Sequence, residues 1–361
     1  MNGRAVDHQD YYMPAEWEPH EGTWLQWPHD DTYRGNQMRL EHIWLAMTES
    51  LHQHEIVHIV VPDERRGDHL QQQIAYYGFD QSHIDVHVFP TDDVWARDSG
   101  PIFLANDRGE LAATDWNFNG WGERYPFERD RKVPRGIAEI LSIPIITAPI
   151  TLEGGGVEVN GKGTLLATRS SIVNPNGTPG RTQEEIEEAL RQYLCIDHII
   201  WLSGAVGVGD TDMHIDGAAR FVDERTVLYS WTDDTSHPRY PYFTQHLDEL
   251  KKVVTQSGEA LTLVPLPVTE ARVCSTKNIS TVPPFKSVPS LGIYANYYVA
   301  NNVVLVPVYG DINDAEAKGI IAEHFPGRDI VGIHAELVAE LGGMIHCVTQ
   351  QQPAVEPIMH S

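Results

Sequence analysis

Four side chains able to carry charge, Asp210, Asp212, His214 and Asp216, stand at every second position of the stretch GDTDMHIDGAARF, residues 209–221. On a β-strand alternate residues share a face, so this spacing predicts three carboxylates and an imidazole pointing the same way. Such a face makes a poor core and a good site. Residues 218–222 are apolar apart from Arg220, and TVLYSW at 226–231 reads as a second strand beyond the Asp223-Glu224-Arg225 turn. The row is therefore expected on a hairpin inside a folded unit rather than on a solvated tail.

Other segments repeat this arrangement of a polar residue leading into a hairpin. Asp98 precedes a Ser-Gly-Pro turn and strands at 102–104 and 110–116. Glu153 leads into GGGVEVNGKGTLLATRSSIV, two strands about an Asn160-Gly161 turn. Asn296 lies in YANYYVANNVVLVPVYGD, with its turn at Asn301-Asn302, and Cys347 lies in GGMIHCVTQQQP, whose natural strand partner is the N-terminal GTWLQWP. Helix-and-strand stretches alternate with these hairpins. Strand character at 23–27 is followed by a helix at 39–54, a strand at 55–61, a helix at 69–77 and a strand at 84–89. Later helices are expected at 182–193, 242–254 and 314–325, each followed by a strand, at 198–202, 261–266 and 330–333. The alternation predicts an α/β fold. Five similar units, each setting one polar residue at the same end of its hairpin, suggest a radial repeat with a central site. Without a linker or low-complexity tract, residues 1–361 read as a single catalytic domain.

A thiolate nucleophile needs a neighbouring base or cation to form, and its leaving group needs a proton donor. Cys347 takes the site position of the fifth unit, whereas Cys195 and Cys274 read as small buried hydrophobes. His214 can serve as acid and base, with Glu153 or an aspartate to orient it. Asp98 and Asp216 are more carboxylates than an acyl-transfer triad uses. Facing each other, they would suit a planar guanidinium, which donates paired hydrogen bonds.

Composition narrows the classes further. With 26 Lys+Arg against 51 Asp+Glu, the net charge of −25 argues against a nucleic-acid partner. No apolar run reaches the roughly 20 residues of a membrane span, and MNGRAVDHQDYY lacks the apolar middle of a secretion signal. Three widely spaced cysteines form neither a disulfide framework nor a zinc pattern, so a cytoplasmic location is expected.

MPAEWEPHEGTWLQWP, VWARDSGP, FNGWG, LEGGGVEV, the TDxHxDxxARF row, SWTDD and GGMIHCVTQQQP, in that order over residues 13–353, resemble the agmatine deiminase and Porphyromonas-type peptidyl-arginine deiminase family. The resemblance implies a five-bladed, pseudo-symmetric α/β propeller of the guanidino-group-modifying superfamily, with the active site in its central channel. It implies Cys347 as the nucleophile, Asp98 and Asp216 gripping the guanidinium, His214 as general acid and base, and Glu153 paired with that histidine and the substrate. Trp95 would lie beside the substrate as a cation–π partner, and Asp212 is counted with the substrate-binding side chains. The implied reaction passes through a covalent thiouronium and needs no metal or organic cofactor. The implied substrate is a small cationic guanidine, agmatine first and arginine or peptidyl-arginine as the alternative. A homodimer is the expected assembly. One departure stands out: where agmatine deiminases usually carry Asn-Gly-His-Val-Asp-Asn, this chain has Asp212-Met213-His214-Ile215-Asp216-Gly217. His and Asp are kept; their neighbours differ.

Three rival readings are weaker. A metal-dependent hydrolase would use the 210–216 row as ligands, but on one strand that row spans about 20 Å, too far to meet at one ion. A non-catalytic guanidine binder would have no use for Cys347 and His214. A Cys-His peptidase leaves the additional carboxylates without a role. Gly154–Gly156 read as a close-packed turn, because no Lys-Ser/Thr follows as in a phosphate loop. His20, His29, His54, His58 and His87 read as surface or strand histidines, and FNGWG as a packing or site-flanking segment.

Overall fold

The computed structural model describes residues 11–29, 32, 37–174, 178–272 and 291–355. Cys274 and the start of the chain, on which the secretion-signal reading rests, lie outside them. The described strands form five separate small sheets.

All five sheets are variants of one plan. In each, an antiparallel pair is extended by a strand running parallel to its second member. Ile102–Asn106 pairs antiparallel with Leu111–Asp115, which runs parallel to Ile145–Thr147. The same order holds for Val157–Val159, Thr164–Thr168 and His198–Leu202, and for Ala219–Phe221, Thr226–Trp231 and Thr262–Arg272. It holds again for Tyr298–Ala300, Val303–Val308 and Asp329–His334. The fifth sheet joins the two ends of the chain: Thr349–Pro353 pairs antiparallel with His20–Gln26, which runs parallel to Ile56–Val61, itself parallel to Ile84–Val88. Parallel neighbours need a crossover, and helices such as Gln37–Leu51, Gln183–Leu194 and Asp314–His324 supply it. This is the α/β plan of a five-bladed propeller, and the hairpin predicted between the chain ends is present.

Two features depart from the sequence reading. Residues 209–213 form turns and bends, not a strand; Asp212 and Met213 are left-handed, with φ +52° and +67°. The polar row therefore shares no strand face. The helix expected at 69–77 begins earlier, at Glu64, because the Asp63 carboxylate accepts from the Arg66 N–H at 2.9 Å and caps its first turn.

Buried aromatic and aliphatic side chains hold the sheets together. The largest cluster runs from Leu25, Trp27 and Trp44 through Tyr297 and Tyr298 to Val348, and it includes Trp95 and Trp121. Among the described residues no helix is long and apolar enough to cross a membrane.

Candidate active site

Short turns at the heads of the hairpins carry the chemistry. Asp98 lies in the single turn Ala96–Ser99, immediately before Ile102–Asn106. Glu153 caps the turn Gly154–Gly156, His214 the turn Ile215–Gly217 that holds Asp216, and Cys347 sits within His346–Val348. Asn296 precedes the strand Tyr298–Ala300. Each sheet thus contributes its head turn, and the five turns meet.

At the meeting point His214 Nε2 lies 3.5 Å from Glu153 Oε2, and its Nδ1 lies 3.7 Å from Asp98 Oδ1. Cys347 Sγ is 3.6 Å from Asp216 Oδ2 and 3.3 Å from Asn296 Nδ2. The Asn296 side-chain oxygen, Oδ1, accepts from the His346 and Cys347 amides at 3.1 and 3.4 Å, fixing the turn that presents the sulfur. Close approach at the centre requires glycine. A Cβ on Gly155 would come within 2.7 Å of His214 Nδ1, 2.8 Å of Asp98 Oδ1 and 3.0 Å of Asp216 Oδ2. The Gly155 N–H itself donates to Asp98 Oδ1 at 3.0 Å.

The site's charges follow from burial and crowding. Burial would push the His214 imidazolium to lose its proton, but Asp98, Glu153 and Asp216 together outweigh it and raise its pKa to about 9. Burial also raises the pKa of Asp98, helped by Glu153 and Asp216 and opposed by His214. For Asp216 burial is overcome by the hydrogen bond and charge of His346, so its pKa is lowered. The Cys347 thiol is pushed well up, first by burial and then by Asp216 and Asp98. The centre thus sets three acidic side chains against one imidazole and a thiol whose proton is held by burial. That imbalance suits a bound cation, and a cation there would favour the thiolate.

A second ring of polar groups holds this set. His346 is buried, with Nδ1 2.9 Å from Asp216 Oδ2 and Nε2 2.7 Å from Glu16 Oε2. Glu16 in turn pairs with Arg220 at 2.9 Å and Arg97 at 3.4 Å. Trp121 Nε1 donates to Asp98 Oδ2 at 2.9 Å, so FNGWG reaches the site directly. Trp95 packs edge-on to Trp121, and a Cβ on Gly343 would lie 2.3 Å from the Trp95 ring and 3.0 Å from Cys347 Cβ. Trp95 therefore borders the cysteine. Asp212 is directed elsewhere: its carboxylate accepts from the Gly207 N–H at 2.6 Å and pairs with Arg124 at 3.3 Å. Asp210 accepts from the Tyr125 hydroxyl at 2.8 Å. These two carboxylates fasten the 206–213 loop to the segment after FNGWG.

Residues 12–353 match the family model of the Porphyromonas-type peptidyl-arginine deiminases. The chain belongs to that family. Similar members include the agmatine deiminases of Stutzerimonas stutzeri (strain A1501), 34% identical over 97% of this chain and 98% of that one, and of Pseudomonas aeruginosa (strain UCBPP-PA14), 34% identical over 95% and 96%. Among solved structures, the agmatine deiminase of Enterococcus faecalis superposes with a TM-score of 0.90 at 28% identity, covering 98% of this chain and 99% of that one. The deiminase family is thus shared over nearly the full length by sequence and by fold.

Of the residues singled out from sequence, Cys347, His214, Glu153, Asp98 and Asp216 come together and Trp95 adjoins them. Sequence reasoning passed over His346, Glu16, Asn296 as a partner of the thiol, and Trp121 as a donor to Asp98. His346 stands beside Cys347 in sequence, which was a usable signal. Glu16 in AEWEP carried none, being 330 residues from the histidine it meets.

Proposed function

We propose that this protein is a guanidine deiminase that hydrolyses agmatine to N-carbamoylputrescine and ammonia, acting through Cys347. The observation that carries the reading is the convergence of a thiol, an imidazolium and two carboxylates around a centre kept open by Gly155. Asp98 and Asp216 would hold the guanidinium nitrogens by paired hydrogen bonds. The arriving cation offsets their charge and favours the Cys347 thiolate, the thiol proton leaving to solvent because His214 is already protonated. Sulfur then bonds to the guanidinium carbon while His214 gives its proton to the departing nitrogen, and the C–N bond breaks to release ammonia. Neutral His214, oriented by Glu153, takes a proton from water as that water attacks the thiouronium carbon. Collapse expels the thiolate and leaves the ureido product. His346, hydrogen-bonded to Asp216 and Glu16, positions the first of these carboxylates.

The agmatine deiminase relatives support agmatine as the substrate, and the family's name makes arginine or peptidyl-arginine the alternative. We take residues 1–361 to act as one catalytic domain, cytoplasmic and homodimeric, with no nucleic-acid or membrane partner. Ammonia release with agmatine, free arginine and an arginine-containing peptide side by side tests the reading. Turnover confined to agmatine supports it; turnover confined to peptide moves the specificity, and none on any of the three overturns the assignment.

A further inference from the structure

We propose that His58, Asp85 and His87 form a surface site for one divalent transition-metal ion of the zinc class, separate from the cysteine site. His58 and Asp85 face each other across the parallel strands Ile56–Val61 and Ile84–Val88, and His87 lies two residues further along the same face. His58 Nδ1 is 3.1 Å from His87 Nε2 and 3.5 Å from Asp85 Oδ2, and the ligand atoms of all three lie within 4.8 Å of one another. With metal–ligand bonds of about 2.0–2.1 Å, neighbouring ligand atoms in a tetrahedral zinc site stand roughly 3.3–3.5 Å apart. The two shorter separations match that spacing to a few tenths of an ångström.

The rings are fixed in place. Trp24 stacks on His58 at 4.2 Å and on His87 at 5.1 Å, and its own Nε1 is held by Gln352 Oε1 at 2.9 Å. His58 is only 5% exposed, and its Nε2 has no hydrogen-bond partner among the described residues. It is the other nitrogen, Nδ1, that faces both His87 Nε2, at hydrogen-bond distance, and the Asp85 carboxylate. Two imidazoles and a carboxylate, with a fourth position open to water, suit Zn²⁺, Co²⁺, Ni²⁺ or Cu²⁺ rather than Mg²⁺ or Ca²⁺. Asp85, exposed at the edge strand, supplies negative charge and a route of access. The ion would tie that edge strand to its neighbour in the sheet that also carries the strand after Cys347. Its role would be structural, not catalytic.

Zinc titration by calorimetry on untagged full-length protein, with Cu²⁺ quenching of tryptophan fluorescence alongside, tests the site. One Zn²⁺ per chain is expected, with affinity in the micromolar range or tighter. His87→Ala and the exposed Asp85→Asn, which leaves the fold undisturbed, should each weaken it about tenfold or more. Trp24→Phe should remove the largest part of the Cu²⁺ quenching. The proposal is overturned by absence of saturable binding below about 1 mM. Binding indifferent to Asp85→Asn and His87→Ala, or lost only in Cys347→Ser, would overturn it equally.

Discussion

Gly155→Ala and Gly156→Ala are neighbouring changes that should behave oppositely. A methyl group on Gly155 would meet His214 Nδ1 at 2.7 Å, Asp98 Oδ1 at 2.8 Å and Asp216 Oδ2 at 3.0 Å. Ordinary contacts begin near 3.4 Å, so these three groups would have to retreat by about 0.7, 0.6 and 0.4 Å. None is free to do so without cost: Asp98 is held by Trp121, and Asp216 by His346. Misplacing catalytic groups by about 1 Å costs on the order of a hundredfold. Here three groups move at once, and the methyl would intrude on the centre where the guanidinium is proposed to bind. We expect kcat/KM for agmatine to fall by a factor of at least about 100 in Gly155→Ala, with about 1–3 kcal/mol lost in stability from overpacking. On Gly156 the added methyl would meet Ile172 at 3.6 Å, an ordinary contact. That variant should stay within about threefold of wild type, as substitutions without such a clash do. Steady-state ammonia release and thermal unfolding of both proteins measure the pair. Near-normal turnover in Gly155→Ala, or equal damage in both, would refute the placement of the reacting centre.

Trp121→Phe keeps the ring but removes the Nε1 hydrogen bond to Asp98; a bond to a charged group contributes about 1.5–3 kcal/mol, so kcat/KM should drop roughly 10- to 100-fold, and an unchanged value would deny the contact. His346→Gln should lower kcat more than it weakens substrate binding, because it releases Asp216 from one hydrogen-bond partner without emptying the site; equal loss after Glu16→Gln, read against unfolding curves, would separate positioning from general instability. The pH profile carries its own sign. The folded His214 pKa of about 9 exceeds its unfolded value, so its contribution to stability is complete below about 6.5 and disappears as the pH rises through about 9. Loss of the imidazolium also removes the proton for the leaving group, so turnover should fall over the same upper range; in His214→Gln the stability change between pH 6.5 and 9 should be smaller by a few kcal/mol.

The hairpins were legible because turn residues punctuate them. Gly161 and Asn302 occupy left-handed backbone, at φ +69° and +56°, where Asn-Gly and Asn-Asn had pointed to turns. The convergence of Asp98, Glu153, His214 and Cys347 was legible from their equivalent places before each hairpin. The row 210–216 misled because charge at every second residue looks the same on a strand and in a loop. Asp212 and Met213 instead turn left-handed, and Asp210 and Asp212 are taken up by Tyr125, Arg124 and the Gly207 amide. The buried Glu16–His346–Asp216 chain was illegible for another reason. Its members lie in distant segments, and only sheet closure between the chain ends brings them together.

The proposed reaction requires a bond between Cys347 and the substrate's guanidinium carbon. Rapid acid quench of the enzyme turning over agmatine, followed by peptide mass spectrometry, reads that bond directly. The expected result is a transient adduct on Cys347 with the mass of agmatine less ammonia, absent from Cys347→Ala, which releases no ammonia. Continued ammonia release by Cys347→Ala, or turnover by the wild type with an unmodified Cys347 at every quench time, would contradict it.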